Sequence, residues 1–168
     1  MDTALSMSLQ PNSAPLVESC KATLFKIADH WLALPATTVL KVIPSSDLEG
    51  SDRGNLTVWN NHPLVRLDLH QLLTRNAAIS SSGVEQRLKL QQYTMIVWSQ
   101  TGERCGILVD ELPVLQELSL AEAQVLPPHY RQTIRNIAKY LVIQPYQGAV
   151  LNVLLLDLQQ ALNKASLS

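Results

Sequence analysis

The side chains that could do chemistry in this chain are few, and one short segment holds several of them. Residues 102–119 read GERCGILVDELPVLQELS, in which a cysteine precedes two adjacent acids. A cysteine attacks as its thiolate, and paired carboxylates can exchange protons. Cys105 alternates with aliphatic residues, however, which predicts a small buried hydrophobe within a strand. Asp110 and Glu111 would face opposite sides of that strand, so they cannot form a paired site.

The histidines do not predict a metal site either. They are His30, His62, His70 and His129, and no two have the spacing of a helical metal-binding motif. His62 and His70 share a face by parity, but eight residues of strand would separate them by roughly 26 Å. Asp68 and His70 would lie on one strand face roughly 7 Å apart. No nucleophile accompanies them, so an exposed surface pair is the favoured interpretation.

Composition excludes several classes of function. The chain has 168 residues, and its 13 Lys and Arg residues nearly balance its 14 Asp and Glu residues. A net charge of −1 and 5% aromatic residues argue against a nucleic acid or an anionic membrane as the main partner. Two scattered cysteines, no basic segment near the N-terminus and no apolar run long enough to cross a bilayer predict a soluble cytoplasmic protein.

The first half of the chain predicts strands with one helical turn. We interpret residues 1–20 as a flexible N-terminal tail. Alternation over residues 22–35 around the turn ADH predicts a hairpin. In residues 36–44 the spacing of Val39 and Val42 fits one turn of helix, ended by a proline.

The middle of the chain predicts a further pair of strands. Residues 56–69 form two alternating segments around the turn NNHP, and the second runs through Asp68. The polar residues 74–92 predict a mobile loop. Residues 93–99, YTMIVWS, predict a strand that is buried on both faces.

The second half predicts more strands and a terminal helix. Pro113 cannot donate to a ladder, so residues 102–119 predict one strand bent at that proline. A short helix capped by Ser119 would be stopped by the two prolines after Leu126. Two strands around the turn QPYQG follow, then a helix with Leu158 and Leu162 on one face. The three tryptophans all lie in apolar segments, which predicts that they are core residues. Short strands at even spacing indicate a mostly β chain of small barrels.

Several segments together resemble the CheW-like domain of bacterial chemotaxis. FKIADHWLALPATTVLKVI and PLVRLDLHQLL are similar to its early strands, and VLNVLLLDLQQAL is similar to its closing strand and helix. The segment YTMIVWSQTGERCGILVDELPVLQELS resembles the family best. Gly106, Ile107, Val109 and Asp110 match its Gly-Ile-x-Val-Asp motif. The order of these motifs covers residues 22–163.

The resemblance implies a fold and a function. It implies an all-β fold of two interleaved five-stranded SH3-like barrels, each with its own core and a few short helices, over residues 21–168. It implies no catalysis and no cofactor. Such domains are scaffolds that bind the tip of a receptor coiled coil and the regulatory domain of a CheA-type histidine kinase. Barrels with separate exposed faces suit this role, because partners can dock on each.

The chain departs from the family pattern at five positions. Many members carry Asn-Leu-Arg-Gly before the Asp-Leu strand; here Asn60 takes the arginine slot and Asn61 the glycine slot. Val65 replaces the usual proline of that strand, and Val142 replaces a late glycine. Lys41 stands where relatives often carry an acid. Replacing arginine with asparagine removes a charge and a forked donor, so the partner surface is expected to differ from that of an orthodox coupler.

The resemblance implies that partners meet the helix after the Leu-Pro step and the corner before the Asp-Leu strand. The expected partner-binding residues are therefore Val39, Lys41, Val42, Asn60 and Asn61, although the two valines also fit a core-facing stripe. Two alternatives to a receptor–kinase adaptor remain open. One is a diverged interaction module outside a kinase array, and the other is a small-molecule-binding barrel or an uncharacterised enzyme.

Overall fold

The computed structural model describes residues 19–49, 56–74 and 93–166. Within these ranges the chain forms eleven strands and three short α-helices, so the expected mostly β fold is confirmed. The strands are β1 Ser19–Ile27, β2 His30–Pro35, β3 Val39–Pro44, β4 Leu56–Trp59, β5 His62–Leu67, β6 Tyr93–Trp98, β7 Arg104–Val109, β8 Val114–Ser119, β9 Gln124–Val125, β10 Ala138–Tyr146 and β11 Ala149–Leu156. The helices are α1 Leu69–Thr74, α2 Pro128–Thr133 and α3 Leu158–Ser166. The predicted tail, except for its last two residues in β1, and residues 75–92 of the predicted mobile loop lie outside the described residues.

The strands form two sheets, and one is nested within the other along the chain. The six-stranded sheet has the order β8-β1-β2-β11-β10-β9, and the five-stranded sheet has the order β3-β6-β7-β5-β4. The chain therefore begins the first sheet, builds the whole of the second and then returns. Each sheet contains one parallel pair, β2 with β11 and β5 with β7. The first sheet has one strand more than the resemblance implied, the two-residue β9.

The five-stranded sheet curls until its two edges approach each other. Glu49, shortly after β3, exchanges two backbone hydrogen bonds with Val58 in β4, at N–O distances of 2.9 and 2.6 Å. Ile43, Leu64 and Ile96 form a small core inside the curl. This closure satisfies part of an edge strand that would otherwise present unpaired backbone groups.

The largest core lies between the two sheets. Phe25 and Leu32 from the six-stranded sheet pack in one cluster with Met95 and Ile107 from the five-stranded sheet. The six-stranded sheet also has a small cluster of its own, which includes Leu24. Each barrel was expected to have its own core, and each does, but the shared cluster is larger than either. Because most of the burial is joint, neither sheet is expected to be stable without the other.

The helical turn predicted for residues 36–44 is wrong. Only Ala36–Thr38 form a 3-10 turn, and Val39–Pro44 form β3, which pairs with β6. The register shifts between Val39 and Lys41, so one extra residue bulges there. Residues three apart normally face opposite sides of a strand, but the bulge returns Val39 and Val42 to one face, where both pack on the shared core. The spacing that suggested a helix is therefore produced by a bulge.

The strand predicted to run through Asp68 ends one residue before it. β5 stops at Leu67, and the Asp68 carboxylate caps α1. Its Oδ1 accepts hydrogen bonds from the backbone N–H groups of His70 and Gln71, at 3.0 and 3.4 Å. A carboxylate at this position satisfies donors that have no partner within the helix.

Two predictions about the second half are also wrong. Residues 102–119 do not form one bent strand, because β7 belongs to the five-stranded sheet and β8 pairs with β1 in the other. Pro113 lies in the connection that carries the chain between the sheets. The prolines after Leu126 do not stop a helix, since α2 begins at Pro128. Proline suits the first helical position, where its missing N–H would have no partner. Ser119 makes no side-chain capping bond.

Other predictions from local pattern are confirmed. The hairpins β1–β2 and β10–β11 and the buried strand β6 form where alternation placed them. On the terminal helix, Leu158 is buried and Leu162 packs on the shared core. The tryptophans are not core residues as predicted: Trp31 and Trp59 are half-buried, and Trp98 is 38% exposed.

Candidate partner-binding surface

Lys41 and Trp59 meet where the edges of the five-stranded sheet approach each other. Lys41 projects from β3 into solvent, and its Nζ lies 5.8 Å from the centroid of the Trp59 ring in β4. A cation over an aromatic face at this distance is attracted to the ring and held in place. Lys41 therefore presents its positive charge at a fixed position beside the β4–β5 turn.

Asn60 and Asn61 form that turn, and both are exposed. Trp59 pairs with His62, so the connection has two residues, and the φ angles of Asn60 and Asn61 are 48° and 62°. A two-residue hairpin with both φ angles positive favours asparagine and glycine. The conformation explains why asparagine can occupy a slot in which relatives carry glycine. Lys41, Trp59, Asn60 and Asn61 together are called the corner below.

The structure does not place the two expected valines at this surface. Val39 and Val42 are half-buried, and they pack against the shared core on the face of β3 that Lys41 does not use. Val65, a further departure from the family pattern, also packs on that core. Val142 is fully buried in the core of the six-stranded sheet. Three of the five expected partner-binding residues therefore lie at the corner.

A groove between the two sheets is a surface that the sequence did not reveal. It encloses about 580 Å³. Its walls carry two large exposed rings, Trp98 from the end of β6 and Tyr140 from β10, which is 46% exposed. The Trp98 ring lies 5.1 Å from the guanidinium carbon of Arg104. Exposed aromatic rings are enriched at protein interfaces, so this groove is a second candidate surface. Trp98 at the last position of its strand was the only signal, since Tyr140 comes from a distant part of the chain.

A buried acid–base contact lies at the other end of β7. His70 Nε2 is 2.7 Å from Asp110 Oδ1, and both side chains are almost completely buried. The other oxygen of Asp110 accepts a hydrogen bond from the backbone N–H of Ala28 at 2.9 Å. Burial raises the pKa of Asp110, while the Ala28 N–H and His70 oppose that shift. The interpretation of His70 as a member of an exposed surface pair with Asp68 is therefore wrong.

The chemistry of Cys105 argues against a nucleophile. Its side chain is fully buried in the shared core, as its alternation predicted. Burial, with the nearby Glu103 carboxylate, raises the pKa of Cys105 to about 11. A thiol with so high a pKa holds almost no thiolate at neutral pH. Among the described residues, no three His, Cys, Asp or Glu side chains cluster closely enough to hold a metal ion.

Comparisons with known proteins agree on one family and one fold. A family model described as the CheW-like domain matches residues 21–166. Fifteen chains of solved structures match, among them the scaffolding protein TtCheW from Thermoanaerobacter tengcongensis. That match has a TM-score of 0.57 and 13% sequence identity, and covers 80% of this chain and 88% of the other. No curated protein sequence matches. Of the helices in the described ranges, none has the length and apolar character needed to cross a membrane.

Proposed function

The chain belongs to the CheW-like domain family, and from this premise we propose that it is a non-catalytic cytoplasmic adaptor. It would couple chemoreceptors to a CheA-type histidine kinase in a chemotaxis, twitching or phototaxis pathway. The observation that carries the proposal is the family match over nearly all of the described chain. The buried, protonated thiol of Cys105 supports a scaffold rather than an enzyme.

The geometry supports an adaptor because it offers two separate surfaces on one rigid body. The corner belongs to the five-stranded sheet alone, whereas both sheets contribute to the groove. The shared core joins the sheets, so a partner at one surface is held in a fixed relation to a partner at the other. Such a relation is what a scaffold needs when it places a receptor beside a kinase.

The charge at the corner defines the kind of partner surface that fits it. Lys41 is positive where relatives often carry an acid, and Asn60 has lost the positive charge of the usual arginine. A partner that presents a basic group to the usual acid would meet like charge at Lys41. We therefore propose that the partner presents an acidic or neutral surface to this corner.

The test measures the affinity of the purified protein for two purified fragments from its native host. One is the regulatory domain of the CheA-type kinase, and the other is the coiled-coil tip of a chemoreceptor. Lys41→Glu should weaken one of these complexes at least about tenfold, with a smaller effect at high salt. Lys21→Glu is the matched control, because Lys21 is an exposed lysine on β1 in the other sheet. Failure of the wild-type protein to bind either fragment would overturn the proposal.

A second candidate function is favoured by the departures at the corner. A CheW-like module that no longer joins a kinase array could carry Asn60, Asn61 and Lys41 without penalty. Affinity purification from the native host, followed by identification of the partners, distinguishes the two. A partner that is neither a histidine kinase nor a chemoreceptor, and whose purified complex is weakened by Lys41→Glu, would support the diverged module.

A further inference from the structure

Asp110 joins the two sheets through its two carboxylate oxygens. Oδ1 contacts His70 in α1, which directly follows β5 of the five-stranded sheet. Oδ2 accepts the N–H of Ala28, in the β1–β2 turn of the six-stranded sheet. The backbone N–H of Asp110 also donates to the carbonyl of Lys26 in β1, at 3.3 Å. One residue thus links the end of β7 to a helix on one side and to a hairpin on the other.

The contact between His70 and Asp110 requires a proton. An imidazole nitrogen and a carboxylate oxygen can stay 2.7 Å apart only with a hydrogen between them, because two lone pairs would repel at that distance. The other ring nitrogen, Nδ1, lies 3.8 Å from Oδ1 of Asp68. A neutral imidazole has one N–H and can direct it toward only one of these two carboxylates, whereas an imidazolium or a protonated Asp110 removes the conflict.

We propose that a proton held between His70 and Asp110 latches the two sheets together, and that the latch loosens as the pH rises and this proton is lost. The proposal needs no partner protein, so it stands or falls separately from the proposed function. The groove lies at the opposite end of β6 and β7 from Asp110, since Trp98 pairs with Arg104 and Tyr93 pairs with Val109. A looser latch would therefore allow the walls of the groove to move relative to each other.

The direction of the pH effect follows from the burial of Asp110. Burial raises the pKa of Asp110 above its ordinary value of 3.8. The folded chain therefore keeps this proton at pH values where the unfolded chain has lost it. The stabilising contribution is complete below pH 3.8 and is lost as the pH rises through the raised pKa of the folded state.

Other ionisable groups lie around the pair, and they must be separated from it in any test. Glu111 raises the pKa of Asp110, and burial lowers the pKa of His30 in the β1–β2 hairpin. The ionisable residues on the surrounding elements are Lys26 and Asp29 of that hairpin, Asp68 at the start of α1, Tyr93 opposite Val109, and Lys164 on α3, which packs against α1.

The first experiment compares melting temperatures across pH 3 to 8 for the wild type and Asp110→Asn. Asparagine keeps an oxygen for the Ala28 N–H but cannot ionise. The melting temperature of Asp110→Asn relative to the wild type should therefore become more favourable as the pH rises. Glu111→Gln, at the exposed neighbouring acid, should give a curve parallel to the wild type. A curve for Asp110→Asn that also stays parallel would overturn the proposal.

The second experiment measures the ionisation of Asp110 directly by carbon NMR of its carboxyl group. His70 lowers the pKa of Asp110, so His70→Gln should raise that pKa by about one to three units. An unchanged pKa would show that the two groups do not share a proton.

A third measurement needs no substitution and protects the test against a variant that fails to fold. The amide of Ala28 should exchange its hydrogen progressively faster than the amide of Ala33, which lies inside β2, as the pH rises through the same range. Using this ratio cancels the pH dependence of the exchange chemistry itself. A constant ratio would mean that Asp110 does not release the hairpin, and would refute the latch.

Discussion

Replacing Ile107 with alanine tests the core that joins the two sheets. Ile107 lies in the middle of β7 and is completely buried. It stands opposite Met95 on β6 and Leu67 on β5, and all three belong to the shared cluster. Ile107→Ala removes three carbon atoms, which at about 0.8 kcal/mol for each buried methylene is about 2.4 kcal/mol of lost transfer free energy. The cavity adds to this figure, since strands on both sides of β7 limit its collapse, so we expect a loss of about 2–5 kcal/mol in the free energy of unfolding.

The assay is urea unfolding, followed by far-ultraviolet circular dichroism and by tryptophan fluorescence. Leu115→Ala is the control, because Leu115 is an aliphatic strand residue that is 60% exposed, and it should change the free energy of unfolding by less than about 0.5 kcal/mol. A loss below about 1 kcal/mol for Ile107→Ala, or a loss equal to that of the control, would contradict both the strand assignment and the shared core.

Further predictions concern single residues. Cys105 should react with an alkylating reagent much more slowly than the half-buried Cys20 in the native protein and equally fast in denaturant, because its pKa is about 11; rapid native labelling would contradict this. Gly106→Ala should lower the melting temperature, since an added Cβ would lie 3.0 Å from Cγ2 of Thr94, and an unchanged melt would show that Thr94 can move. Asn61→Val should destabilise the fold by about 1 kcal/mol because a β-branched residue resists positive φ, whereas Asn61→Gly should not; equal effects would argue against the turn geometry.

The sequence predicted the parts of the fold that depend on neighbouring residues. Alternation located the two hairpins, because an antiparallel pair with a short turn needs no information from elsewhere in the chain. It also predicted that Cys105 is buried, since period-two spacing assigns a face without knowing what covers it. Alternation failed in β3, where the bulge beyond Val39 shifts the period and imitates a helical step.

The features that the sequence could not predict depend on long-range pairing. His70 and Asp110 meet because β5 lies parallel to β7, and nothing near either residue indicates that pairing. The groove was missed for the same reason, since Trp98 and Tyr140 come from different sheets. At the corner the resemblance selected Asn60 and Asn61 correctly as exposed turn residues. Their role in binding stays a prediction.

The nesting of one sheet within the other affects how the chain can fold as the ribosome makes it. β1 and β2 emerge first, but their neighbours β8 and β11 belong to the last third of the chain. About 80 residues separate Pro35 from Val114, which takes about 4–16 s at a synthesis rate of about 5–20 residues per second. During that interval the hairpin cannot cover Leu24 on one face or Phe25 on the other with its native partners. The nascent hairpin is therefore the segment that we expect a ribosome-associated chaperone to hold until translation ends.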